Sequence, residues 1–136
     1  MSDIPPIAAD QPPFARLLGL RLVSATPDRV EAEFEVTEAL GNRNGVLHGG
    51  AIMGVADNMG GTATFLNLRD GDGTVTVESK TSFFRPVALG TTARAVTEPL
   101  HKGRKTMVWQ TRILRADGKL AALVVQTQMV LRPEDK

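Results

Sequence analysis

The chain has 136 residues, a length that fits one domain with a substantial buried core. It carries 16 basic and 15 acidic side chains, a formal net charge of +1, so no excess charge indicates a nucleic-acid or membrane-surface protein. Cysteine is absent and only two histidines occur, which excludes disulfides and thiolate chemistry and argues against a metal site. We expect a cytoplasmic protein, because the N-terminus shows no signal-peptide pattern. We also expect no metal and no prosthetic group.

The first part of the chain predicts an arm, a short helix and two strands. Residues 1–13 hold four of the eight prolines and predict an extended arm ahead of a single domain over 14–136. A short helix is predicted over 14–18, because Gly19 follows as a helix end. Strands are predicted over 20–25 and 29–37, and glutamates alternate with apolar residues in the second strand. One face of that strand therefore meets water.

Residues 44–68 form the most informative segment, because Asp57 is the only residue among them that is charged at neutral pH. A surface helix carries several charges, and a plain core helix carries none. One isolated carboxylate in such a helix indicates a functional site, whereas the simpler alternative is that Asp57 faces water.

The two sides of this predicted helix have different character. Drawn at 100° per residue, the helix has an apolar side that packs on a sheet, formed by Ile52, Val55, Ala56, Met59, Ala63 and Leu66. Gly50, Gly54, Asp57 and Gly61 fall within about 60° of one another, so the carboxylate stands in a strip without side chains. Glycine in a helix interior costs about 0.5–1 kcal/mol relative to alanine, so we expect a backbone or a ligand to lie against this strip.

The remainder of the chain predicts strands joined by turns. After a turn cluster at 70–73, strand-like runs follow at 75–84, 91–101, 106–116 and 120–131. Asp117-Gly118 predicts a hairpin between the last two runs. Consecutive hairpins and one helix of about 20 residues predict an α+β fold, with a long central helix wrapped by a curved antiparallel sheet of five to six strands. The uncovered sheet face is apolar enough to predict contact with another subunit.

The spacing of Gly49 and Asp57 predicts a site shared by two chains. Gly49 and Gly50 open the helix, where unpaired N–H groups and the positive end of the helix dipole suit a carbonyl oxygen that gains negative charge. Asp57 lies about 12 Å further along the helix axis, whereas a base and such donors must act on one carbon. We therefore predict an obligate homodimer in which Gly49 of one chain lies near Asp57 of the other, with two equivalent sites.

The same segment resembles a known family signature. Asn42-Arg-Asn-Gly-Val-Leu-His48-Gly49-Gly50, followed by Ala-Ile-Met-Gly-Val-Ala-Asp57, is similar to the signature of hotdog-fold thioesterases of the phenylacetate-degradation type. The resemblance spans about residues 14–132 and includes 16–20, Phe84-Arg-Pro86 and the Gly103-Arg104 turn. A bare His-Gly-Gly is weak, but the full spacing is fairly specific. The resemblance implies a hotdog fold with active sites between paired subunits.

The resemblance also implies a reaction and roles for named residues. The reaction is hydrolysis of an acyl-CoA thioester to free acid and CoA. Gly49 would donate its backbone N–H to the thioester oxygen, while His48 and Asn42 would polarise or orient the acyl group. Asp57 of the partner chain would activate water or attack directly. Family members often have a Ser or Thr near the start of the strand after the helix that helps to hold the water, and Thr76 occupies that region.

Further residues are expected near the substrate, and each assignment has an alternative. The predicted substrate-binding residues are Gly50, Met53, Phe83 and, for the CoA phosphates, Arg104. His48 has the alternative role of a helix-entry residue satisfied by backbone groups, and Asn42 that of shaping a turn. For the basic turn at 102–105 the alternative is a solvated hairpin tip.

Two other functions stay open beside the thioesterase. A non-catalytic acyl-CoA-binding or sensing module has no need of an isolated carboxylate in a dry groove, which costs several kcal/mol if ionised and unpaired. A hotdog hydratase acting on enoyl thioesters needs a different arrangement of His and carboxylate. No G-x-S-x-G elbow or Walker-type loop occurs in the chain. The expected partners are acyl-CoA and a second copy, further paired as a dimer of dimers, and the acyl group is not predicted.

Overall fold

The computed structural model describes residues 4–135. The helices and strands in chain order are α1 (Pro6–Ala9), α2 (Pro13–Leu18), β1 (Arg21–Thr26), β2 (Arg29–Glu35), α3 (Gly49–Phe65), β3 (Gly73–Phe83), β4 (Thr92–Lys102), β5 (Thr106–Leu114) and β6 (Leu120–Leu131). Two 3-10 turns, Glu38–Leu40 and Pro133–Asp135, complete the described part of the chain. All six predicted strands and the helix predicted over 14–18 are present, with ends shifted by one or two residues.

The strands form one six-stranded antiparallel sheet in the order β1-β2-β4-β5-β6-β3. Two of its pairings, β2 with β4 and β3 with β6, join strands that are not consecutive in the chain. The expected series of consecutive hairpins is therefore wrong at the β3–β4 connection, because α3 carries the chain from β2 to the opposite edge of the sheet. The α+β architecture of a long helix packed on an antiparallel sheet is confirmed.

The apolar side of α3 packs on the inner face of the sheet, as its periodicity predicts. The buried helix residues of this side are Ile52, Val55, Ala56, Met59 and Ala63, while Leu66 is half-buried just beyond the helix. Trp109 of β5 is fully buried beneath the helix, and its indole N–H donates to Thr64 Oγ1 at 2.8 Å. This contact satisfies both polar atoms and fixes the helix over the central strands.

The helix is shorter than the apolar segment suggests. It begins at Gly49 and has 17 residues, because the residues before it make β-bridges from Gly41 to Leu47 and from Val46 to Ala88. These bridges use backbone groups that a helix starting earlier would need. Within residues 4–135, no helix combines the length and the apolarity needed to span a bilayer.

The N-terminal segment differs from the predicted extended arm. Residues 1–3 of that arm lie outside the described residues, and Pro6–Ala9 forms one helical turn with Ala8 fully buried. Asn58 Nδ2 of α3 donates to Gln11 Oε1 at 2.7 Å, so the segment is tied to the long helix. Proline suits the first turn of a helix as well as an extended chain, which is why composition alone did not distinguish the two conformations.

Gly60 and Gly61 of α3 provide a matched test of helix packing. A Cβ at Gly60 would overlap the carboxamide of Gln126 in β6, whereas nothing lies within 4 Å of a Cβ at Gly61. We expect Gly60→Ala to lower the free energy of unfolding by about 1–3 kcal/mol through overpacking. Gly61→Ala should raise it by up to about 1 kcal/mol, because alanine is the better helix former. Urea denaturation measures both values, and equal effects would contradict the described packing.

Candidate active site

The N-terminus of α3 presents one free backbone donor. The Gly50 N–H donates to His48 Nδ1 at 2.8 Å, and the N–H groups of Ala51 and Ile52 donate to the His48 carbonyl. The Gly49 N–H has no acceptor among residues 4–135. A Cβ at Gly49 would stand 3.2 Å from the ring of Phe83, so glycine keeps this donor accessible. The donor lies at the positive end of the helix dipole.

His48 caps the helix. It has extended backbone dihedrals, φ −65° and ψ 134°, and its side chain accepts the hydrogen bond from Gly50. Because Nδ1 accepts, the proton of the neutral imidazole lies on Nε2, and Nε2–H is the donor that this ring has left to offer. Within the chain, His48 is thus a helix-entry residue whose side chain bonds to the backbone, which was the alternative role. Its role toward a substrate stays a prediction.

Asn42 and Gly49 line one groove, with a volume of about 320 Å³. Asn42 Oδ1 accepts hydrogen bonds from the backbone N–H groups of Asn44 at 2.9 Å and Val46 at 3.2 Å. Asn42 therefore shapes the turn, as its alternative role predicted. These contacts use only Oδ1, so the Nδ2 group of Asn42 is left as a donor. Phe83, which is 54% exposed, forms an apolar wall of the same groove.

Asp57 lies in a different and larger groove, with a volume of about 790 Å³. The groove runs between the N-terminal segment, the second half of α3 and the start of β3. Its apolar walls include Ile7, Pro12, Phe65 and Val75, and its polar walls include Gln11, Asn58 and Thr62. Asp10 and Arg16 are the other charged residues that line it. Gly49 and Asp57 therefore face different grooves of the same chain.

The carboxylate of Asp57 is held by a chain of hydrogen bonds from β3 and β6. Thr76 Oγ1 lies 2.6 Å from Asp57 Oδ1, and Gln128 Nε2 lies 2.6 Å from Thr76 Oγ1. Thr74 Oγ1 lies 2.9 Å from Gln128 Oε1. Gln126 Nε2 makes a longer contact of 3.4 Å with Asp57 Oδ1. Thr76, expected near the site, is thus the first partner of the carboxylate.

The two glutamines of this network, Gln126 and Gln128, were not among the residues predicted for the site. Gln126 and Gln128 occupy alternate positions of β6 and are buried on the same face as Val124 and Val130. A strand whose inner face is otherwise apolar carries two amides there, and buried amides need polar partners. Two glutamines at alternate positions of an otherwise apolar strand face are thus the sequence signal for a polar group opposite β6.

The turn before β3 fixes the start of the strand that carries Thr74 and Thr76. Asp72 accepts hydrogen bonds from Arg69, four residues after the end of α3, and from Arg132 just beyond β6. The hydrogen bond from Arg69 is the main cause that lowers the pKa of the Asp72 carboxyl below its usual value. Asp72 therefore stays ionised and ties this turn to the C-terminal end of β6.

The strip of glycines around Asp57 is only partly open. A Cβ at Gly54 would stand 2.9 Å from the ring of Phe14, so α2 of the same chain covers this position. At Gly54 the close neighbour is therefore the Phe14 side chain and not the expected backbone or ligand. Gly61 has open space around it and lines the groove that contains Asp57.

Three predicted substrate-binding residues, Gly50, Met53 and Arg104, do not line the groove that contains Asp57. Gly50 and Met53 are exposed on α3, and Met53 has 41% of its surface accessible. Arg104 lies in the β4–β5 turn, in a groove shared with Arg69, Lys105 and Arg132. This groove is at the end of the sheet where β3 begins, because Gly73 pairs with Leu131. Met53 lies one helical turn before Asp57 on α3, whereas Arg104 lines a separate groove of the same chain.

Comparison with known proteins identifies relatives of the chain. The model of the thioesterase superfamily (4HBT) matches residues 44–122. The proofreading thioesterase EntH of Cronobacter turicensis is 34% identical over 102 residues, covering 75% of this chain and 74% of that protein. The crystal structure of thioesterase HI1161 from Haemophilus influenzae aligns with a TM-score of 0.82 at 28% identity, covering 88% of this chain and 82% of that one. The PaaI protein from the phenylacetic acid degradation operon of E. coli aligns with a TM-score of 0.80 at 24% identity, covering 89% and 86%. The structural matches confirm the hotdog fold.

Proposed function

Because the chain belongs to the thioesterase superfamily and is a thioester hydrolase, we propose that it hydrolyses an acyl-CoA thioester to a free acid and CoA. The observation that carries this proposal is a free backbone donor at Gly49 together with a hydrogen-bonded carboxylate at Asp57. The N–H group stabilises negative charge that develops on the thioester oxygen. The carboxylate supplies a base or a nucleophile for the carbonyl carbon.

The active site is proposed to be shared between two copies of the chain. Gly49 and Asp57 face different grooves, and their separation of about 12 Å along the helix is too large for one thioester carbon. β3 supports a twofold assembly, because it is an edge strand with Val75 and Val77 exposed at 45% and 52%. An unpaired apolar edge favours addition of another strand, and pairing of two β3 strands gives a closed twofold contact.

The proposed mechanism assigns one step to each polar group. The thioester oxygen accepts a hydrogen bond from the Gly49 N–H of one protomer, while Asn42 Nδ2 and His48 Nε2 orient the acyl group. The free oxygen of the other protomer's Asp57 takes a proton from water, and the resulting hydroxide adds to the carbonyl carbon. The tetrahedral intermediate then expels the CoA thiolate, which receives that proton from the carboxyl group. In the nucleophilic variant, Asp57 itself adds to the carbon and the CoA thiolate leaves, which forms a mixed anhydride. Water then cleaves the anhydride to the free acid and Asp57, and the proton released protonates the CoA thiolate.

The remaining predicted residues are proposed to bind the rest of the substrate. Phe83, next to Gly49, contacts the acyl group, and Gly50 leaves room for the substrate beside the helix N-terminus. Met53 is exposed on the helix face available to a second chain. Arg104, together with Lys105, provides positive charge for the CoA phosphates, whereas Arg69 and Arg132 of the same groove pair with Asp72.

Thiol release from a panel of short, medium, long and aryl acyl-CoA esters tests this function. We expect at least one class to be hydrolysed with kcat/KM of about 10⁴ M⁻¹ s⁻¹ or more, and free acid and CoA to form in equal amounts. Binding of acyl-CoA without thiol release from any class would instead support the binding module. Water addition to an enoyl-CoA without thiol release would support the hydratase.

A further inference from the structure

The contact between Thr76 and Asp57 has a defined direction. The two oxygens lie 2.6 Å apart, a separation that requires a shared proton. An ionised carboxylate only accepts, whereas a threonine hydroxyl has one proton to donate. Thr76 therefore donates to Asp57 Oδ1, and no second proton is left on its hydroxyl.

This direction determines the orientation of Gln128. Its side-chain amide lies 2.6 Å from Thr76 Oγ1, so the group that faces Thr76 must be the Nε2 donor. The Oε1 atom then faces the Thr74 hydroxyl at 2.9 Å, whose single proton is shared between Gln128 Oε1 and the Met129 carbonyl, also at 2.9 Å. The flipped amide would place an acceptor against Thr76 and compete with Asp57 for the single hydroxyl proton. Gln128 is 1% exposed, so bulk water does not substitute for either contact.

We propose that Gln128 is a positioning residue that directs the Thr76 proton to one oxygen of Asp57 and so leaves the other oxygen free for the substrate reaction. This inference rests on the proposed catalytic role of Asp57. Gln126 Nε2 approaches the same Oδ1 atom at 3.4 Å. The hydrogen bonds within the chain therefore converge on Oδ1, and Oδ2 is the oxygen that takes a proton from water or adds to the thioester.

Few charged residues surround Asp57, so the pH dependence of kcat/KM can be interpreted in terms of this carboxylate. α3 carries no other charged residue, and β6 faces Asp57 with neutral side chains. In β3, Glu78 and Lys80 pair with Thr127 and Val125, on the face of the sheet away from the helix. The N-terminal segment contributes Asp10 and Arg16 to the same groove, and Arg16 donates to the Gln11 carbonyl at 2.5 Å.

Two variants of Gln128 and one control test the proposal. Gln128→Met keeps the volume but removes the donor, and we expect kcat to fall about tenfold with KM within about twofold. Gln128→Glu replaces the donor by an acceptor that attracts the Thr76 proton and adds negative charge. We expect the acidic limb of its kcat/KM profile to move up by about one pH unit. The control is Gln110→Met, on β5 opposite Glu98 and Val125, which should keep the wild-type profile.

A measurement on the unmodified protein complements the variants, because a buried substitution can also impair folding. The side-chain amide resonances of Gln128 should shift with pH at the midpoint of the acidic limb of kcat/KM, and this shift should vanish in Asp57→Asn. Absence of the shift would overturn the proposal, as would wild-type profiles for both Gln128 variants beside an inactive Asp57→Asn. A loss of activity and Tm without movement of the pH limb indicates a structural role and also overturns it. An active Asp57→Asn contradicts the proposed function instead.

Discussion

Asp57→Asn is expected to lower kcat by at least about a hundredfold while the fold is retained. Asparagine has the shape of aspartate but neither takes a proton from water nor attacks a thioester. Its amide oxygen still accepts the hydrogen bond that Thr76 donates at 2.6 Å, so the surrounding network remains in place. Because Asp57 is exposed in the chain, its replacement should change the free energy of unfolding by only about 0.5 kcal/mol.

Steady-state thiol release and thermal denaturation of the same preparations check this expectation. Asp10→Asn is the matched control, because Asp10 lines the same groove but has no proposed role in the reaction. It should retain wild-type turnover. Equal rates for Asp57→Asn and the wild type would assign the base or nucleophile to another residue.

Two inactive variants are expected to restore activity when they form hybrid dimers. Gly49→Pro removes the free N–H group at the first position of α3, where proline is well tolerated. His48 before it already has the extended conformation that proline requires of the preceding residue. Alone, Gly49→Pro should lose about a hundredfold or more in kcat, the usual loss for one oxyanion donor.

In a hybrid of Gly49→Pro with Asp57→Asn, one of the two shared sites combines an unmodified Gly49 with an unmodified Asp57. Equal co-expression makes about half of the dimers hybrid, so we expect about one quarter of wild-type activity if sites are shared across a twofold axis. Purified hybrids carrying two different tags allow a direct measurement.

Two controls separate the causes in this experiment. Gly49→Ala keeps the N–H group but places a Cβ 3.2 Å from Phe83, so it measures the steric part of the effect alone. A dimer of two differently tagged Asp57→Asn chains should show no recovery. If the hybrid is as inactive as its parents, each site is contained in one chain and the shared arrangement is refuted.

Local patterns in the sequence identified most of the elements and the principal candidate residue. The 3.6-residue periodicity of α3 predicted its buried side, because a helix exposes its side chains to two different environments at that period. Alternation did the same for β2, and Asp117-Gly118 marked the β5–β6 hairpin. Asp57 was identifiable because it is the only residue of the segment 44–68 that is charged at neutral pH, whereas a surface helix carries several charges.

Contacts between residues far apart in the chain were decided only by the tertiary structure. The position of β3 at the sheet edge, the approach of Phe14 to Gly54 and the alignment of Gln128 with Thr76 all depend on which strands and helices pack together. The helical turn at Pro6–Ala9 depends in the same way on burial of Ala8 against α3. The elements, the core side of the helix and the isolated carboxylate could be predicted from the sequence, since these follow from local periodicity and from the distribution of charges along the chain. The tertiary structure alone decided the strand order, the partners of the carboxylate and the separation of Gly49 from Asp57 into two grooves, because such pairings reflect the summed free energy of many long-range contacts.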